Sequence, residues 1–95
     1  MRTRIYLAGP DVFRPRAIEI GEAKKAVCAG FGLGGLFPID NEVDVSVKNA
    51  SGAVFMGNIE MLDLSDVVLA NLTPFRGVGA DPGTAFEIGY AFARK

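Results

Sequence analysis

The chain contains no histidine and only one cysteine in its 95 residues. The first absence removes Ser-His-Asp and Cys-His catalysis, and with them most zinc sites, which draw on His or several Cys. The second excludes an internal disulfide and makes a reducing compartment the default. Cys28 lies in the apolar stretch Ala26-Val27-Cys28-Ala29 and reads as a buried structural thiol rather than a reactive one. The apolar run after Met1-Arg2-Thr3-Arg4 stops at Gly9-Pro10, too short for a signal peptide or a membrane span. The expected setting is cytoplasmic. Neither sign of charge is in excess: 10 Lys and Arg against 11 Asp and Glu leave a formal charge of −1. The scattered basic residues argue against a nucleic-acid or anionic-membrane surface. Arg14, Arg16, Lys24 and Lys25 read as the solvated face of one helix. A hard oxygen-ligand magnesium site stays open in principle. With no Walker loop and no close acidic cluster, however, neither a metal nor a cofactor is expected.

What is present describes one globular domain with a small core: 49% of residues are hydrophobic and 22% charged. Arg4 to Ala8 is a short strand rich in β-formers, stopped by Gly9-Pro10. From Arg14 or Pro15 to about Phe31, the residues Ala17, Ile18, Ile20, Ala23, Val27 and Cys28 recur at near-helical spacing. Leu33 to Ile39 holds a weaker strand around Leu36-Phe37, and Asp40 to Lys48 a polar loop. A second helix is expected from about Ser51 to Leu64, with Val54, Phe55, Ile59, Met61 and Leu62 on its buried side. Asp66 to Asn71 is a continuous apolar run of the kind buried on both faces of a parallel sheet. A third helix begins near Pro82 to Thr84 and is still running at Lys95. The order β-α-β-α-β-α predicts a doubly wound parallel sheet with right-handed crossovers. Three strands make a thin sheet, so the expectation is a domain cut short or completed by a partner.

The segment after the third strand carries the most chemistry. Val67-Val68-Leu69-Ala70 runs into a Gly/Pro-rich loop that delivers Asp81 and Glu87 to the start of a helix. Ligands of open α/β sheets bind outside the carboxyl ends of the strands. Two carboxylates there suggest acid/base or nucleophilic work on a small polar substrate. Local structure accounts for the same residues: Thr84-x-x-Glu87 fits a capping box, and Asp81-Pro82 fits an N-cap followed by proline. Two details favour function. Gly83 suits close approach of a ligand to the backbone, and Glu87 sits among Ala85, Phe86, Ile88 and Gly89, a costly setting for an idle carboxylate.

Other positions carry two readings each. Tyr6 either packs in its strand or sends its hydroxyl to the carboxyl edge to orient a carboxylate from a neighbouring strand. Gly9-Pro10 is a turn, or it lets backbone N–H groups and Phe13 line a pocket. Asn58, mid-helix beside Gly57, faces solvent or points over the strand ends toward a ligand. Asp63 and Asp66 read as surface charge and loop residues, and Asp40-Asn41 as turn chemistry or ligand contact.

Taken together, Ile5-Tyr6-Leu7-Ala8-Gly9-Pro10, Phe37-Pro38-Ile39-Asp40-Asn41-Glu42, Asn58-Ile59 with Asp66, and Asn71 through Gly77 and Asp81 through Gly89 resemble the nucleoside 2-deoxyribosyltransferases. The resemblance runs over essentially the whole chain, and the last block is its most specific part. It implies a flavodoxin-like α/β fold, here incomplete, and transfer of 2-deoxyribose between nucleobases. It makes Glu87 the nucleophile of a covalent glycosyl-enzyme, the retaining logic of two-step glycosyl transfer. By the same likeness Asp81 contacts the base and moves a proton, Tyr6 orients Glu87, and Asn58 lies near the sugar. Phe13 and Phe75 flank the base, with Gly9, Pro10 and Gly83 lining the site. The implied partners are deoxynucleosides, nucleobases and further copies of the chain, since family enzymes are oligomers. Family members continue into at least one more strand and helix beyond the position of Lys95. Two alternatives stay open: an N-glycoside hydrolase of deoxynucleoside 5′-monophosphates, and a non-catalytic nucleoside-binding remnant.

Overall fold

A computed structural model of the chain describes residues 2–38, 50–74 and 77–94. Three strands, β1 (Arg4–Ala8), β2 (Gly34–Leu36) and β3 (Val67–Ala70), alternate with three helices, α1 (Ala17–Gly30), α2 (Ala50–Leu64) and α3 (Pro82–Ala93). A 3-10 turn, Pro10–Phe13, follows β1. The strands form one parallel sheet in the order β2-β1-β3. This is the α/β, flavodoxin-like doubly wound arrangement, represented by part of its sheet. Residues 40–48, Asp40-Asn41 among them, lie outside the described residues, as does Phe75.

The two-residue period of β1 assigns its side chains to opposite faces. Tyr6 and Ala8 point to one side and pack with Leu62, Ile59 and Met61 of α2 and Tyr90 of α3. Leu7 points to the other and meets Cys28 of α1 and Phe37, with Ile5 beside it. Helices therefore lie on both faces, and the chain reverses direction across the sheet between β2 and β3. In doubly wound sheets ligands bind outside the carboxyl ends of the strands at such a reversal, here β1 and β3. At the other end, Arg4 and Asp66 bracket the entry to β3. The Arg4 N–H donates to Asp66 Oδ2 at 2.8 Å, and the Asp66 N–H to the Arg4 carbonyl at 2.8 Å. Asp66 is exposed in the bend before β3, as expected, and also clamps the entry to that strand. Asp63 is exposed as expected, yet it accepts the Tyr90 hydroxyl at 2.7 Å and ties α2 to α3.

Several sequence expectations need correction. α1 starts at Ala17, because the chain first makes the 3-10 turn, and it buries only Ala17, Gly21 and Cys28. Ile18, Ala23 and Val27 are exposed, since a single layer of sheet covers only a narrow stripe of that helix. The basic residues are not one solvated face: Arg14 lies outside α1, and Lys24 is half-buried against Asp11. β3 is not buried on both faces. Val68 and Ala70 are half-buried under α2 and α3, whereas Val67 and Leu69 are 45% and 60% exposed. Among the described residues, no strand pairs with the outer side of β3, and α1 covers the sheet over β1 and β2. No helix among the described residues is long and apolar enough to cross a membrane.

Phe37 is almost wholly enclosed, and its ring packs against the backbone of α1 at Gly21. A Cβ at position 21 would stand 2.5 Å from Phe37 Cδ2. Gly21→Ala gains about 1 kcal/mol of helix propensity, but it must displace a buried ring, at about 1–3 kcal/mol or more. The expected outcome is a lower urea midpoint with an unchanged m-value. A midpoint at or above wild type would show that this contact is not tight.

Candidate active site

Asp81 starts α3. Its Oδ2 accepts the Thr84 backbone N–H at 3.0 Å and the Thr84 hydroxyl at 3.1 Å, and Pro82 occupies the first turn, where no N–H partner is needed. This settles the choice between the two local patterns. Asp81 is the cap, so Glu87 falls in the second turn, where a capping-box glutamate cannot reach the cap N–H. Glu87 is left for a long-range partner.

That partner is Tyr6. Its hydroxyl donates to Glu87 Oε2 at 2.6 Å, a bond between residues 81 apart in sequence. Strand alternation turns Tyr6 toward the α2/α3 face, and the second turn of α3 lies over it. The carboxylate oriented by Tyr6 therefore comes from a helix, not from a neighbouring strand. Tyr6 is 0% exposed and Glu87 half-buried. Burial pushes the Glu87 carboxyl above the ordinary glutamate range. The Tyr6 hydrogen bond pulls the other way by favouring the charged form, and the nearby Asp81 charge adds to the rise. The Tyr6 hydroxyl is itself raised, first by burial and then by Glu87, and stays a donor through the neutral range. Such a carboxylate can act as a nucleophile or base, with a second carboxylate one and a half turns away on the same helix.

The other predicted residues that lie among the described ones take the following places. Gly9 ends β1 with φ +149° and packs against Asn71, where a Cβ would meet Asn71 Cβ at 2.8 Å; only glycine fits there. Pro10 is fully enclosed, so it shapes the backbone rather than offering a surface. Phe13 is half exposed at the end of the 3-10 turn. Gly83 sits in the first turn of α3, with a Cβ position 3.2 Å from Asp81 Oδ2. Asn58 is half-buried in α2, one turn after Phe55, whose ring packs on Phe86 of α3 at 5.5 Å between centroids. Asn58 therefore belongs to the side of α2 turned toward α3.

Two features escaped the sequence reading. Thr84, 1% exposed, fixes the Asp81 carboxylate with its hydroxyl. Asp11, 6% exposed, joins Lys24, Arg14 and Asn71. Burial alone would raise the Asp11 carboxyl, but hydrogen bonds from Lys24 and Asn71 and the charges of Lys24 and Arg14 outweigh it and hold it low. An acid directly after Gly-Pro was the available signal. Among the described residues, no group of three or more Cys, Asp or Glu side chains is placed to hold a metal ion.

The family model for nucleoside 2-deoxyribosyltransferases matches residues 5–95. The chain is similar in structure to a 2-deoxyribosyltransferase from Leishmania mexicana, with 35% identity and a TM-score of 0.79 over 97% of this chain and 59% of that one. It shares the fold of a 2-deoxyribosyltransferase from Bacillus psychrosaccharolyticus, at 23% identity and a TM-score of 0.73, over 96% of this chain and 66% of that one. An uncharacterised protein of Schizosaccharomyces pombe is 36% identical over 95% of this chain and 45% of its own length. The chain thus spans about half the length of that relative and three-fifths of the Leishmania enzyme.

The electrostatics of the pair can be read by carboxyl-carbon NMR. Glu87 is expected to titrate above the ordinary glutamate range. In Tyr6→Phe the midpoint moves higher still, because the donor that favours the charged form is gone. A midpoint that stays or falls in Tyr6→Phe would mean the hydrogen bond does not govern the charge on Glu87.

Proposed function

The chain belongs to the nucleoside 2-deoxyribosyltransferase family, and from that premise we propose that it moves 2-deoxyribose between nucleobases through a covalent deoxyribosyl–Glu87 intermediate. The observation that carries this reading is the hydrogen bond from Tyr6 of β1 to Glu87 of α3. Tyr6 occupies Oε2, so attack on the anomeric carbon falls to Oε1. A C1′–O bond forms as the C1′–N bond breaks, and the electron pair leaves with the base. Asp81 relays a proton to the departing base. In the second step the nitrogen of an incoming base attacks C1′, Glu87 leaves as a carboxylate, and the proton returns through Asp81. The exchange is proton-neutral overall.

Tyr6 has its largest effect in that second step. Its donor favours the carboxylate that is released, so it makes Glu87 a better leaving group. A hydrogen bond to a charged group is worth about 1.5–3 kcal/mol, or roughly 10- to 100-fold in rate. The deoxysugar suits so sparse a site. Without a 2-hydroxyl its oxocarbenium-like transition state forms readily, and one carboxylate with one proton relay suffices.

The start of α3 favours a nucleoside over a 5′-monophosphate. A helix N-terminus attracts phosphate through its free N–H groups, but here Asp81 already takes the Thr84 N–H and brings a negative charge of its own. The reading includes deoxynucleosides and free bases as partners, with Asn58 toward the sugar and Phe13 and Phe75 beside the base. It also includes a homo-oligomer working in cytoplasmic nucleoside salvage.

Incubation with 2′-deoxyinosine and free adenine, followed by chromatography, tests the reaction. Formation of 2′-deoxyadenosine is expected. Free deoxyribose alone would mean a hydrolase, and no turnover from folded chain would mean a binding protein. Glu87→Gln is expected to lower exchange by about 10³-fold or more without lowering the melting temperature. Its amide oxygen still accepts from Tyr6, and a buried charge is removed. Full activity in Glu87→Gln would end the covalent mechanism.

A further inference from the structure

Asp11 is the one carboxylate among the described residues that is buried yet has no part in the chemistry above. Lys24 of α1 donates to its Oδ2, Asn71 Nδ2 donates to the same oxygen at 3.2 Å, and Arg14 Nε lies 3.5 Å from Oδ1. The two cations would satisfy the charge by themselves. Asn71 adds a link from the turn after β1 to the loop that leaves β3.

Asn71 is the residue at which that loop changes course. Its N–H still continues the sheet, donating to the Ala8 carbonyl at 2.8 Å. Its side-chain Oδ1 then accepts the Thr73 N–H at 3.0 Å and turns the backbone out of the strand. Gly9, which admits no Cβ, lets Asn71 lie directly against the end of β1. Among the described residues, the next side-chain anchor of the loop is the Asp81 cap, from which α3 carries Glu87 to Tyr6. Between these two anchors Leu72, Thr73, Pro74 and residues 77–80 are exposed, so nothing in the core sets their path.

We propose that Asp11 is a positioning residue: through Asn71 it fixes the direction in which the β3–α3 loop leaves the sheet, and so the placement of Asp81 and Glu87. The catalytic part of this rests on the deoxyribosyl-transfer reading; the structural part does not.

The pair can be reversed. Asn71→Asp keeps an oxygen for the Thr73 N–H but sets a second carboxylate against Asp11. Adding Asp11→Asn restores an amide-to-carboxylate bond with the roles exchanged. Base exchange in Asn71→Asp is expected to lose about tenfold or more in kcat with KM within about threefold, since misplacement acts on the transition state. The double variant is expected to return to within about threefold of wild type. Amide exchange at Asn71 and Thr73 should accelerate in the single variant and recover in the double. A double variant no better than the single, or an Asn71→Asp enzyme with wild-type kcat, would overturn the catalytic part. Exchange at Asn71 and Thr73 indifferent to both substitutions would overturn the link itself, whatever the turnover. An inactive wild type with the expected exchange pattern would instead count against the transfer reading and leave the link standing.

Discussion

One hydrogen bond, from Tyr6 on the first strand to Glu87 on the last helix, is the constraint around which this chain is organised. It requires that β1 lie in the middle of the sheet, that Tyr6 point to the face carrying α3, and that α3 begin where its second turn passes over the strand. Each requirement has a local cause. Parallel pairing on both sides centres β1. Strand alternation turns Tyr6 one way and Leu7 the other. The Asp81 cap fixes the first turn of α3, and with it the register that brings Glu87 to Tyr6.

The same geometry places a charge in tension with its surroundings. Burial works against ionisation of Glu87, and Asp81 works in the same direction; only the tyrosine opposes them. A carboxylate held in this way is less well solvated than one in water and is therefore a stronger nucleophile. Its partner neither takes its proton nor pairs away its charge. The rest of the edge follows the same economy. Asp81 caps a helix and bears on the site, Thr84 holds Asp81, and Gly9 gives up a side chain so that Asn71 can close on β1.

The sequence made much of this architecture readable. β1 was legible to the residue because Arg-Ile-Tyr-Leu-Ala ends at an unmistakable Gly-Pro, and α2 to within one residue of its start. The parallel pairing of the strands followed from the β-α-β alternation. Other features depended on long-range partners. Asp81 and Thr84 offer two valid helix starts three residues apart, and only Tyr6, 81 residues from Glu87, decides what the glutamate does. Asp11 drew no reading from the sequence, and two of its partners lie 13 and 60 residues away. The burial of β3 was overestimated because apolar content does not reveal which strands of a sheet have neighbours on both sides. Val67 and Leu69 carry the pattern of an inner strand while standing exposed.

What sets the proposed mechanism apart from simple hydrolysis or binding is a covalent bond between Glu87 and the sugar. Mixing the chain with 2′-deoxyinosine, denaturing promptly and weighing the intact protein tests it most directly. Wild-type protein heavier by one deoxyribosyl group is expected, and no such species in Glu87→Ala. An adduct that persists in Glu87→Ala, or none from wild-type chain that unfolds cooperatively and releases base, would contradict it.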